Sequence, residues 1–153
     1  MASALRAYRS RWPSALFLEV IAMSSDFEER LFGQPYSTLV AKMSGDVRIA
    51  RALRMIEGGY NCTQLSISAM AGVACMSATD FKRRFSRQAG FPPLQFVARY
   101  RVMRAVRLLV ESDLSVSEVA LEAGFCDLVT LDRKLKKFLG VCPKELRKKT
   151  AAA

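Results

Sequence analysis

Residues 66–96 read SISAMAGVACMSATDFKRRFSRQAGFPPLQF, and residues 115–146 read SVSEVALEAGFCDLVTLDRKLKKFLGVCPKEL. Ile67, Met70, Ala71 and Ala74 match Val116, Val119, Ala120 and Ala123 at an offset of 49. One inserted residue then shifts the register, and Phe81, Arg83, Phe85, Gly90, Pro93 and Phe96 match Leu131, Arg133, Leu135, Gly140, Pro143 and Leu146 at an offset of 50. Within each copy the apolar positions fall three or four residues apart, so they share one face of a helix. Each copy is therefore a short helix, a tight turn and a second helix with a basic outer face, the pattern of a helix-turn-helix.

Working outward, Ser66, Ser77 and Ser115 stand where helix N-caps belong. Ser77 with Asp80 and Ser115 with Glu118 fit capping boxes. Asp46 caps a helix bearing Ile49, Leu53 and Ile56, which stops at Gly58-Gly59. Pro92-Pro93 open a long helix with Phe96, Tyr100, Met103 and Val106 or Leu109 inside and Arg99, Arg101, Arg104 and Arg107 around it. These arginines fall on several faces, so at most some of them reach a phosphate together. Leu131, Leu135 and Phe138 mark the helix of the second copy, and Pro143 begins a brief last one through Leu146. No stretch alternates with period two, so the fold is all-α.

The 153 residues carry 24 Lys+Arg against 14 Asp+Glu, a net charge of +10. Residues 1–45 hold five basic and four acidic side chains, so the excess belongs to the remainder. A basic helical array of this kind suits nucleic acid, whose phosphates attract it; a basic bundle with a merely solvated surface has the same periodicity. Histidine is absent, which removes Ser-His-Asp and Cys-His nucleophiles and the HExxH zinc site. No enzyme, metal or cofactor is expected. Cys62, Cys75, Cys126 and Cys142 form no metal-ligand spacing and read as reduced thiols acting as small hydrophobes. The longest apolar run, Ala15 to Met23, is too short to cross a bilayer, so no membrane partner and a cytoplasmic location are expected.

These residues carry a resemblance. Arg48-Ile-Ala-Arg-Ala-Leu, Met76-Ser, Phe81-Lys-Arg-Arg-Phe, Gly90-Phe-Pro-Pro, Val119-Ala and Gly124-Phe resemble the DNA-binding domain of the AraC/XylS family of bacterial transcription regulators. The stretch Leu131-Asp-Arg-Lys-Leu-Lys-Lys-Phe-Leu-Gly-Val-Cys-Pro-Lys-Glu-Leu-Arg147 is similar to its most specific signature. The resemblance implies homeodomain-like tandem helix-turn-helix lobes, at 46–91 and 114–147, joined by a linker helix over 93–110, in a domain spanning 46–150. It further implies control of transcription, most often activation, through double-stranded DNA and RNA polymerase. Two departures stand out: Cys75 replaces the usual turn glycine, and Gly72 sits inside the preceding helix.

If Phe81 and Phe85 face the core, Thr79, Lys82, Arg83 and Ser86 point outward. Thr79, Lys82 and Arg83 also match the family's base-reading positions. Arg83 otherwise serves as a surface or ion-paired arginine, Lys82 suits phosphate or base equally, and Arg84 and Arg87 suit phosphate or solvent. In the second lobe Leu128 or Val129, Asp132, Arg133 and Lys136 point outward. Val129 suits a thymine methyl or a cover for the helix entrance, and Asp132 a cytosine amino group or a salt bridge. Asp127 and Asp132 place negative charge on a face expected to approach DNA. Lys144 and Arg147, with Lys148 and Lys149, are candidate phosphate contacts or a soluble end.

Residues 1–45 contain one helix candidate, Ser14 to Met23, followed by Gly33, Pro35 and Ser44-Gly45, which read as loop and linker. They are the remnant of a larger N-terminal domain or a helical extension packed on the first lobe. Trp12, Leu16, Phe17, Val20 and Ile21 supply a core or interaction face. A monomer on DNA is the default expectation. The alternative is an accessory protein that modulates a full-length regulator or RNA polymerase by protein contact.

Overall fold

The computed structural model describes residues 25–58 and 64–152. The expected helix from Ser14 to Met23, the apolar face starting at Trp12, and Cys62 lie outside them. The described residues are helical, without strands: α1 (25–32), α2 (Tyr36–Met43), α3 (Val47–Glu57), α4 (Ile67–Val73), α5 (Ala78–Ala89), α6 (Pro93–Glu111), α7 (Val116–Glu122), α8 (Leu128–Leu139) and α9 (Pro143–Ala152). Helices α3 to α5 form lobe one, α7 to α9 form lobe two, and α6 links them.

The helix starts are built from local hydrogen bonds. The Asp46 carboxylate accepts from the Arg48 and Ile49 N–H groups, Ser66 from Ala69 and Ser77 from Asp80. Ser115 and Glu118 complete a reciprocal box. The expected box at Ser77 is only half made: the Asp80 carboxylate accepts from the Ser77 hydroxyl and from Arg83 instead. Aspartate is one methylene shorter than the Glu or Gln that spans this distance. Asp127, expected to put charge on the outer face, is the N-cap of α8, where its carboxylate accepts from Thr130 N–H at 2.6 Å. Both second helices end at a left-handed glycine, Gly90 and Gly140.

The two turns repeat bond for bond. Cys75 N–H donates to Gly72 O and Met76 N–H to Ala71 O. In lobe two, Gly124 N–H donates to Leu121 O and Phe125 N–H to Ala120 O. The geometry requires a left-handed residue: Gly124 has φ 92°, and Cys75 has φ 54°, the only positive φ among described non-glycine residues. A side chain in that region costs about 1–2 kcal/mol, so lobe one carries strain that lobe two avoids.

One continuous core runs through both lobes. Phe81, Phe85 and Phe96 are completely buried; the Phe81–Phe85 ring centroids lie 5.4 Å apart, and Phe96 meets Phe85 edge-on at 5.2 Å. Leu131 and Leu135 hold the equivalent places in lobe two. Each such side chain contributes about 1.5–3 kcal/mol on burial.

Gly33, Pro35 and Ser44-Gly45 are non-helical as expected, but they punctuate two helices within residues 25–43 rather than form one linker. Phe27, Leu31 and Phe32 of α1, with Tyr36, Leu39 and Met43 of α2, are buried in the same core. Pro35 caused the misreading: with ψ 137° it is the N-cap of α2 rather than part of a linker. A helix of 8 residues has little stability of its own and is held by tertiary packing.

The cysteine reading also needs correction. Cys126 is disulfide-bonded, while Cys75 and Cys142 are free thiols, the former exposed. Cys126 and Cys75 occupy or flank the surface turns, where sequence spacing says nothing of spatial neighbours.

The turn strain gives a stability prediction. Cys75→Gly should raise unfolding free energy by about 0.5–1 kcal/mol, the relieved strain exceeding the added backbone entropy. Gly72→Ala, where an added Cβ meets nothing within 4 Å, should add up to about 1 kcal/mol. Gly124→Ala should cost about 1–2 kcal/mol. Denaturant midpoints of the three variants check these signs.

Candidate nucleic-acid interface

Burying Phe81 and Phe85 leaves the other sides of α5 outward. Thr79, Lys82, Arg83 and Arg87 are exposed and Ser86 is half-buried. Arg83 Nη2 donates to Asp80 Oδ1 at 2.8 Å, one turn back toward the helix start. Arg84 lies 3.5 Å from Asp46 Oδ2, to which Gln88 Nε2 also donates. Arg83, Arg84, Arg87 and Gln88 line a concavity of about 330 Å³. Three cationic side chains of α5 thus share one concavity, an arrangement suited to anionic oxygens.

On α8, Leu131 and Leu135 turn inward, which exposes Val129, Arg133 and Lys136 and leaves Asp132 half-buried. Val129 is 77% exposed, against 37% for Leu128, so Val129 is the apolar residue presented outward. Asp132 accepts from Lys136 Nζ at 2.7 Å. That hydrogen bond holds the Lys136 ammonium above the ordinary lysine range. Asp132 is therefore a paired acid.

The tail and linker candidates divide. Lys144 is exposed. Arg147 is half-buried and its Nη2 donates to Leu114 O at 2.6 Å, which ties α9 to the segment before α7. Arg107 pairs with Glu28 at 2.5 Å. Arg99 donates to Leu31 O and lies 4.2 Å from the Phe91 ring centroid and 4.8 Å from that of Phe138. Arg99 and Arg107 are thus engaged inside the domain. Sequence periodicity gave no sign of the Arg99 sandwich, because Phe91 and Phe138 belong to different lobes. Among the described residues no group of His, Cys, Asp or Glu could hold a metal ion, and no helix is long and apolar enough to cross a membrane.

A short capped helix, a left-handed turn and a second helix with an outward polar face, present twice, define a helix-turn-helix protein. A helix-turn-helix domain family matches residues 70–149, just over half of the sequence. The chain belongs to the AraC-type family of helix-turn-helix transcription regulators. It is 35% identical over 83 residues to the transcriptional regulator MtrA of Neisseria gonorrhoeae, covering 54% of this chain and 28% of that protein. It is 30% identical over 140 residues to the transcriptional regulatory protein YesN of Bacillus subtilis, covering 87% and 38%. Thus the chain spans well under half the length of these curated relatives. Among solved structures, the DNA-binding domain of AdpA in complex with a target DNA aligns with TM-score 0.63 at 36% identity, covering 67% of this chain and 92% of that one. The C-terminal domain of the response regulator YesN from Fusobacterium nucleatum aligns with TM-score 0.58 at 26% identity, covering 63% and 93%.

The caps make the domain acid-sensitive. Burial pushes the Asp46 carboxyl up, but the Arg48 and Ile49 N–H groups, Gln88 and Arg84 outweigh it and hold it below the ordinary range. Thr130 N–H holds Asp127 low, and the Ser115 hydroxyl and N–H hold Glu118 low. A carboxyl lowered on folding stabilises fully above its unfolded value, about 4, and loses that contribution as pH falls through its folded value. Thermal melts should therefore fall progressively below about pH 4. Asp46→Asn and Asp127→Asn should each flatten that slope; an unaltered slope would show that these caps do not set it.

Proposed function

We propose that this chain is a sequence-specific double-stranded DNA-binding module of a transcription regulator that reads two adjacent major-groove segments with α5 and α8. The observation that carries this reading is the duplicated, capped recognition helix with its core-facing stripe buried and its polar side outward. Recognition helices enter the major groove by their N-terminal turns, and two grooves on one side of a duplex lie about 34 Å apart. The site is then asymmetric, because Thr79, Lys82, Arg83 and Ser86 on α5 differ chemically from Val129, Asp132, Arg133 and Lys136 on α8.

Arg83 and Arg133 are the base readers, by bidentate donation to guanine. The Asp80–Arg83 pair is exposed at both ends and worth about 0–1 kcal/mol. A bidentate guanine contact is worth about 1–3 kcal/mol, so DNA can outcompete Asp80. Val129 meets a thymine methyl. Lys82, Arg87 and Lys144 contact the backbone, whereas Arg147 serves α9 through Leu114. The module binds DNA as a monomer and activates transcription through RNA polymerase.

Selection from a random duplex pool, followed by a salt titration on the enriched sequence, tests this reading. Two unlike blocks about one turn apart are expected. Arg83→Ala should cost about 1–3 kcal/mol on the selected site and relax a single base position. Arg133→Ala should do the same in the other block. Equal losses on selected and random DNA would show backbone contact only. No enrichment, with steeply salt-dependent binding, would favour the accessory-protein alternative.

A further inference from the structure

The spacing between two recognition helices is only as well defined as the junction between their lobes. Helix α6 already packs on lobe two through the continuous core and through Arg99 against Phe138, and a contact from outside both lobes fixes that junction further. Helix α1 lies along α6 and touches both sides of the junction. Toward lobe one, Phe32 of α1 packs on Phe96 at 5.6 Å, which meets Phe85 of α5, and on Tyr36 at 5.2 Å, whose hydroxyl donates to Glu57 of α3. Along the linker, Leu31 O accepts from Arg99, and the Glu28 carboxylate accepts from Arg107 with one oxygen and from Tyr36 N–H with the other. On the lobe-two side, Arg30 Nη2 donates 3.2 Å to Leu139 O, across 109 residues of sequence.

That last contact has a specific target. Leu139 is the final residue of α8, so its carbonyl is one of those a helix leaves without an internal partner. A guanidinium there also meets the negative end of the α8 dipole. Arg30 therefore holds the recognition helix of lobe two by its rear end, while its N-terminal turn stays exposed at the other.

We propose that α1 is a strut that fixes lobe two relative to lobe one, and that Glu28 and Arg30 are positioning residues for the spacing of the two DNA segments. The spacing half of this inference rests on the two-segment reading above; the strut half does not. Glu28 bonds Arg107 and Tyr36 N–H, and Arg30 the C-terminal carbonyl of α8, so both act through protein contacts. Their effect is on the tolerance for misplaced segments, which mere loss of stability would not change.

Spin labels on the free thiols Cys75, in lobe one, and Cys142, in lobe two, report the inter-lobe distance in the whole chain without DNA. A narrow distance distribution is expected for the parent chain. Arg30→Ala combined with Glu28→Gln should widen it at least twofold, and the milder Arg30→Ala alone should widen it less while leaving the melting transition single. An unchanged width in folded variants overturns the strut. On unlabelled protein, moving one selected segment by one base pair should cost the parent about tenfold in affinity, in the range of a mismatched base pair. The same shift should cost the double variant threefold or less. A widened distribution with no spacing dependence in the parent would overturn the two-segment reading and leave the strut standing.

Discussion

The Arg99 guanidinium joins the N-terminal helix, the end of lobe one and the recognition helix of lobe two. Phe91 lies at the end of lobe one, Phe138 on the recognition helix of lobe two, and Leu31 on the N-terminal helix; Arg99 meets all of them from the linker. Burial lowers its pKa, and its Nε is enclosed without a hydrogen-bond partner. The ring faces offset part of that loss, since a cation over a desolvated aromatic ring gains about 2 kcal/mol. A neutral apolar residue could fill the space but not bond the Leu31 carbonyl. Arg99 thus ties the linker to both lobes and to α1, and Arg107, Arg147 and Arg30 make further contacts between distant segments from partly or fully exposed positions.

This use of arginine qualifies what a net charge of +10 means. Several guanidiniums serve carbonyls and carboxylates of the chain itself, so fewer cationic side chains are free to reach a polyanion directly, though the net charge is unchanged. Exposed cations remain on α3 (Arg48, Arg51, Arg54), on α5 (Lys82, Arg83, Arg87) and on α8 (Arg133, Lys136, Lys137). On α8 the Asp132–Lys136 pair neutralises part of the face. The lobes are duplicates in backbone, yet unlike in the electrostatics they present.

Much of the fold was legible in the sequence, because periodicity and capping are local. The stripe Phe81-Phe85, the stripe Leu131-Leu135, the caps at Ser66 and Ser115 and the linker from Pro93 follow from residues within one or two turns of each other. The outward positions on α5 and α8 followed as the complement of the buried stripes. The features that escaped depend on context beyond one or two turns. The helix after Pro35 is too short to stand without tertiary support. Asp127 is the exposed N-cap of α8, a role that depends on where α8 starts, and the partners of Arg99 and Arg147 lie far off in sequence. Cys126 escaped for the same reason, since a disulfide joins thiols that only the fold brings together.

The long reach of α1 bears on how the protein emerges from the ribosome. Its partners Arg107 and Leu139 lie 79 and 109 residues downstream of Glu28 and Arg30. At about 5–20 residues per second, α1 waits several seconds for them. During that interval Phe27, Leu31 and Phe32 can pack only against what has already emerged. The lobe-one core is filled only once Phe96 has emerged, and the Arg30 contact to lobe two must await Leu139.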